Sequence, residues 1–178
     1  DPIPSRGLGD VYKRQRLSIA TNQHDGYVDN RVGPDGNESD SFAYRAQINV
    51  DFTDDFSALL SINGGENDAA SAYYQHEVTD PSGVDFWGYR DTDGDNFAGD
   101  YDRLTELNIE SNGAALTLTG YMDDIEIVSI TSFQNVDKFH TEDTDMGPLP
   151  GILPTFASEN DQFSQEIRIS GETDQLHW

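Results

Sequence analysis

The sequence predicts an all-β fold, an antiparallel up-and-down meander that forms part of a transmembrane β-barrel and is not closed on its own. Three observations carry this prediction. Apolar and polar residues alternate with period two through several runs, every proline falls outside those runs, and short turns alternate in chain order with long acidic connections.

Taken in order, Arg16 to His24 reads as the first strand. From Phe42 to Phe52 the alternation is strict: Phe42, Tyr44, Ala46, Ile48, Val50 and Phe52 on one face, Ala43, Arg45, Gln47, Asn49 and Asp51 on the other. Thr53-Asp54-Asp55 breaks the run, and Phe56, Ala58, Leu60 and Ile62 resume it, which makes a hairpin. A second hairpin turns at Asp123-Asp124, between Ala114–Met122 and Ile125–Phe139. In the latter run Ile125 and Ile127 oppose Val128 and Ile130, so periodicity leaves its apolar face open. A third is expected where Phe163, Gln165, Ile167 and Ile169 alternate with Ser164, Glu166, Arg168 and Ser170, with Gly171 to Gln175 turning before Leu176. No segment carries a sustained helical period.

The long connections at 25–40, 66–113 and 140–160 all fall at one end of such a meander, and the short turns at the other. Outer-membrane barrels have this asymmetry; a soluble sandwich does not need it. The same parity decides how Asn112-Gly113 is read. That dipeptide is a strong hairpin signal, but a short-end turn there would move 140–160 to the wrong end, so it is expected as a bulge or small excursion of the long connection.

Among 178 residues, 34 Asp and Glu face 10 Lys and Arg, a formal net charge of −24. A nucleic-acid partner is excluded, because a phosphate backbone is repelled by such a surface. By segment, the three connections hold 5, 12 and 4 acidic against 1, 2 and 0 basic residues, so −18 of the −24 lies there. Within the strands Arg45, Asp51, Glu166 and Arg168 fall opposite the aromatic and aliphatic face. That arrangement suits a wet barrel lumen, and equally a soluble sheet with one face in water. An aromatic content of 11% argues against disorder, and the absence of cysteine excludes disulfides, thiolate metal sites and thiol nucleophiles.

Residues 1–15 lack the basic start and apolar centre of a signal peptide. Asp10-Val11-Tyr12-Lys13-Arg14-Gln15 resembles the translation of a transposase-end adapter used in DNA library preparation, so 1–15 is expected to be a non-native tail and 16–178 the native part. The alternation restarts at Leu176 and stops at Trp178, so a cut strand is expected there.

In the connections, Asp91-Thr92-Asp93-Gly94-Asp95-Asn96, continuing to Asp100 and Asp102, spaces carboxylates as calcium ligands. It departs from an EF-hand, with Asn96 at the sixth position and Asp102 rather than Glu at the twelfth. An irregular calcium site at Asp91, Asp93 and Asp95 and a solvated acidic loop are the two readings. His24, His76, His140 and His177 form no metal or catalytic spacing, although His140 lies near Glu142 and Asp143. No nucleophile motif occurs, so no catalytic residue is expected. Aromatics gather at Tyr73-Tyr74 and Phe86-Trp87-Gly88-Tyr89; Trp87, Tyr89 and Arg90 are the ligand-contact candidates, set against simple anchoring or packing. Arg90 and Arg103 supply local positive charge for an anionic ligand.

Four stretches resemble TonB-dependent outer-membrane receptors. Arg16-Leu17-Ser18-Ile19-Ala20 leading to Asp25-Gly26-Tyr27-Val28-Asp29-Asn30 is similar to their early strands and the "DGYVDN" start of an external loop. Tyr44-Arg45-Ala46-Gln47 with Phe52-Thr53-Asp54-Asp55-Phe56-Ser57 resembles the next hairpin, and Ile130-Thr131-Ser132-Phe133-Gln134 the "SITGYR"-like strand, with Phe for Tyr and Gln for Arg. Asp161-Gln162-Phe163-Ser164-Gln165-Glu166-Ile167-Arg168-Ile169-Ser170 resembles "QFSQELRL", the most specific of the four. The resemblance implies an outer-membrane location, a barrel of about 22 strands around a plug, and energised uptake of a small nutrient such as a siderophore, vitamin or saccharide. Its implied partners are the lipid bilayer and, through a plug not found in this chain, TonB with its inner-membrane motor. On that reading the chain is roughly the first third of the barrel, a transporter part and not an enzyme, without cofactor unless the loop holds calcium. The alternative is a secreted soluble β-sandwich or calcium-dependent adhesion module.

Overall fold

The computed structural model describes residues 12–70, 73, 79–103, 105–173 and 175–178. Among the described residues nine strands run in chain order: β1 (Tyr12–His24), β2 (Asp29–Asn30), β3 (Ser39–Thr53), β4 (Phe56–Ala69), β5 (Ala98–Gly99), β6 (Leu107–Met122), β7 (Ile125–Thr141), β8 (Thr155–Thr173) and β9 (Leu176–His177). There is no helix among the described residues. Seven strands form one antiparallel sheet in the order β1-β3-β4-β6-β7-β8-β9, an up-and-down meander that is not closed. β2 and β5 pair in parallel as a separate two-stranded ribbon within the connections.

The register extends the sequence-derived strands and moves their ends. β4 runs to Ala69 and β6 begins at Leu107, so the long connection is 70–106 rather than 66–113. β3 begins at Ser39, and β7 and β8 bracket 142–154, which shortens the other two. Asn112-Gly113 forms neither a bulge nor an excursion. It lies inside β6, with Asn112 opposite Gly64 and Asn135, and Gly113 opposite Asn63 and Gln134. Pairing on both flanks supplies ladder partners for this stretch, and that long-range gain overrides the local turn preference. The last hairpin is tighter than expected, because β8 continues to Thr173. At the other end, 12–15 continue β1 against Ile48–Asp51, while residues 1–11 of the expected tail lie outside the described residues.

Cross-strand rows define the two faces. Leu17, Ala46, Ile62, Ala114, Phe133 and Phe163 stand side by side, and the next row toward the short turns is Gln15, Ile48, Leu60, Leu116, Thr131 and Gln165. Below it come Lys13, Val50, Ala58, Leu118, Ser129 and Ile167, then Phe56, Gly120, Ile127 and Ile169. This register settles the face of β7: Ile125, Ile127 and Phe133 join the apolar face, Val128 and Ile130 the polar one. Arg45, Asp51, Glu166 and Arg168 lie on the polar face, as the alternation predicts.

The apolar face is bare. Leu17, Ile48, Leu60, Ile62, Phe163 and Ile167 on it are all exposed, as are Phe52 and Phe56, whose rings stack at 5.5 Å beside the 54–55 turn. The polar face carries small and amide side chains, with Ser132 Oγ and Ser164 Oγ 2.7 Å apart across β7 and β8. Toward the long connections the apolar face changes character. Two rows beyond Ile62 and Phe133, Glu66, Glu110, Asp137 and Glu159 stand directly opposite one another on β4, β6, β7 and β8. Like charges in that position destabilise a sheet; Asn135, whose amide lies 3.5 Å from Asp137 Oδ1, offsets a little of this cost. Three of those four carboxylates belong to the segments that sequence periodicity assigns to loops.

Gly64 shows how closely the apolar face is fitted: a Cβ there would come within 2.7 Å of the Tyr44 hydroxyl and 2.8 Å of Asn112 Oδ1. Tyr44, its direct cross-strand partner, covers the bare backbone that glycine leaves. Apart from Gly64 and Thr141, every buried residue described lies in the connections, among them Val28, Ala98 and Tyr101. The packed core therefore sits beyond one end of the sheet.

Candidate functional site

The long connections converge at that end, and backbone pairing builds the platform. Asp29 N–H donates to Phe97 O (2.8 Å) and Arg31 N–H to Gly99 O (3.0 Å), which locks 29–31 against 97–99. Asn30, 6% exposed, completes the join: its Nδ2 donates to Tyr101 O at 3.0 Å, and its Oδ1 accepts from Tyr101 N–H at 3.0 Å and Val32 N–H at 3.3 Å. An amide is suited to this, since it offers both a donor and an acceptor to the backbone of one residue.

Arg31, held by that ladder, collects the acidic loop. One terminal nitrogen lies 3.1 Å from Asp91 Oδ1 and 2.9 Å from Asp93 Oδ2, and the other lies 3.1 Å from Asp100 Oδ2. The Tyr89 hydroxyl donates to the same Asp100 oxygen at 2.8 Å; burial first, and then Asp100, pushes its pKa well up. Asp93 is held below the usual carboxylate range, first by the Asp95 N–H and also by Arg31. Of the expected calcium ligands, Asp91 and Asp93 thus share a guanidinium, whereas Asp95 Oδ1 accepts from Phe97 N–H at 2.9 Å.

The aromatic candidates separate in the same way. Asp85 Oδ1 accepts from Trp87 N–H (2.8 Å) and Tyr89 N–H (2.7 Å), closing a turn that directs Tyr89 inward and leaves Phe86 and Trp87 exposed, their rings edge to face at 5.4 Å. Arg90 is exposed beside them. Tyr73 packs on Tyr101 at 4.3 Å and donates to Arg103 O at 3.4 Å; Tyr74 and His76 lie outside the described residues. An exposed Trp87 next to Arg90 is able to stack on a ring and pair with an anion. Tyr89 serves the loop instead.

A second group was not legible in the sequence. Asp102, Asp143 and Asp145 each offer a carboxylate oxygen, all within 4.8 Å of one another, and Asp143 and Asp145 are 2% and 3% exposed. Asp143 Oδ1 accepts from Met146 N–H (3.1 Å), Asp145 Oδ1 from Ile152 N–H (2.9 Å), and Asp102 N–H donates to Gly147 O (3.1 Å). Two carboxylates about 5 Å apart repel by ~3 kcal/mol at an effective dielectric of 20. Burial above all, reinforced by Asp145 and Asp102, pushes the Asp143 carboxyl up to about 6. Asp143 therefore joins these two, while His140 pairs with Glu142 Oε1 at 3.2 Å and stacks on Phe156 at 4.6 Å. Of the other histidines described, His24 Nδ1 lies 3.0 Å from Asp25 O, and His177 Nε2 3.4 Å from Glu172.

No family model matches this chain, and neither a curated protein nor a solved structure gives a significant match to it.

Proposed function

We propose that this chain is part of the β-barrel of a TonB-dependent outer-membrane receptor, with residues 16–178 forming an early section of the barrel wall. The observation that carries the proposal is the bare apolar face, several strands wide, backed by a polar face and capped at one end by folded connections. Soluble monomers seldom expose contiguous apolar patches above a few hundred Å². Lipid covers such a face, and the polar face then lines the lumen. The resemblance of the four strand motifs supports the same family, and with it uptake of a siderophore or other small nutrient, driven through TonB and its inner-membrane motor.

On this reading the loop assembly faces the outside, and Trp87 and Arg90 are its exposed ligand contacts. The test is expression of the full-length protein in a Gram-negative host, followed by membrane fractionation and nutrient uptake with and without TonB. Recovery in the outer membrane, with uptake lost in the TonB-deficient strain, is expected; recovery in the soluble fraction overturns the proposal. Trp87→Ala and Arg90→Ala reduce uptake at unchanged protein level if these side chains touch the ligand.

A further inference from the structure

We propose that Asp102, Asp143 and Asp145 form a calcium-binding site that fastens the end of the 70–106 connection to the 142–154 connection. The three carboxylates converge from segments some forty residues apart in sequence, with oxygens mutually within 4.8 Å. Convergence of acids is by itself no site. The second observation concerns satisfaction: the Asp143 side chain is fully buried, one oxygen is used by Met146 N–H, and the other, Oδ2, meets no donor. Asp102 Oδ1 is likewise buried with no donor in reach. Buried polar atoms find partners in native proteins, and an orphaned carboxylate oxygen beside two further carboxylates calls for a cation rather than another acceptor.

The donor set selects the metal. All three ligands are carboxylates, the chain has no cysteine, and no histidine among the described residues joins the group, so a hard cation fits better than zinc. Magnesium keeps several waters and uses one or two carboxylates; calcium takes six to eight oxygens in irregular geometry and suits three buried carboxylates supplied by loops. Placed there, it neutralises the mutual repulsion and reinforces the link that Asp102 N–H to Gly147 O makes between the two connections. The site stands on loop geometry alone and holds whether or not the apolar face meets lipid.

The experiment uses the full-length protein in detergent, stripped with EGTA and titrated with CaCl2 by calorimetry, with thermal melting in parallel. One saturable calcium site, at least tenfold weaker for MgCl2, and a calcium-dependent rise in melting temperature are expected. Asp143→Asn and, should that variant misfold, the less buried Asp102→Asn weaken binding at least tenfold. The apo form of either melts at or above apo wild type, because a repelling charge is gone. Asp93→Asn, on the exposed Arg31 cluster, retains wild-type binding. Absence of saturable calcium binding to the wild type overturns the proposal and leaves a shared proton between the acids as the explanation. Wild-type affinity in both Asp143→Asn and Asp102→Asn, or loss of binding in Asp93→Asn, also overturns it.

Discussion

Placing arginine at two neighbouring positions of β4 tests the assignment of the faces. Leu60 stands in the middle of the apolar face, between Ile48 and Leu116, and Leu59 points the opposite way, between Asn49 and Thr117. From Leu60 to Glu66, the first charged position on that face of β4, is six residues. That is ~20 Å along a strand and, in the proposed barrel, ~15 Å along its axis at a tilt near 40°. A lipid-facing band is ~25 Å tall, so a band centred near Leu60 ends just short of Glu66. In the other direction Phe56 lies four residues away, ~10 Å along the axis, where interface aromatics belong. Leu60→Arg in the full-length protein in bilayers should therefore cost about 2–4 kcal/mol, a ~30-fold to ~1000-fold loss in folding equilibrium, and Leu59→Arg about 0–1 kcal/mol. Urea titrations followed by tryptophan fluorescence measure both. Equal costs, or a larger cost at Leu59, would refute the assignment.

Three further perturbations address the connections and the fit of the sheet. Asn30→Ala removes the side-chain partners of both backbone polar groups of Tyr101 and should destabilise the 28–31 and 97–101 join by about 1–3 kcal/mol, read as faster amide exchange there; unchanged protection contradicts the bridging role. Arg31→Gln leaves Asp91, Asp93 and Asp100 without their shared cation, and its partly exposed pairs together hold about 1 kcal/mol, so limited proteolysis within 85–103 should quicken ~5-fold, with the difference shrinking in 1 M salt. Gly64→Ala should cost about 1–2 kcal/mol by crowding Tyr44 and Asn112, and part of the cost should vanish in a Tyr44→Ala background; a double-mutant cycle with no coupling would show that positions 64 and 44 do not press on each other.

The strands were legible because alternation is a local property. Phe42 to Phe52 and Phe163 to Ile169 declare a half-buried strand from their own residues. Asn112-Gly113 misled for the converse reason: its turn propensity is local, but partners on β4 and β7 hold it extended. The Asp91 run drew attention as a metal loop because its carboxylates are adjacent in sequence, yet Arg31, sixty residues upstream of Asp91, is what gathers two of them. Asp102 stood out only as the end of the Asp91 run and Asp145 not at all, since nothing in either neighbourhood ties the two together.

From the sequence alone follow the all-β class, the antiparallel meander, the side on which the long connections lie and the concentration of negative charge there, all consequences of period-two patterning and chain parity. Tertiary structure decided the rest: which face of β7 joins the apolar surface, the row of carboxylates from Glu66 to Glu159, and the meeting of Asp102 with Asp143 and Asp145. Each depends on register or loop convergence, in which residues distant along the chain become neighbours, and periodicity within one segment carries no information about another.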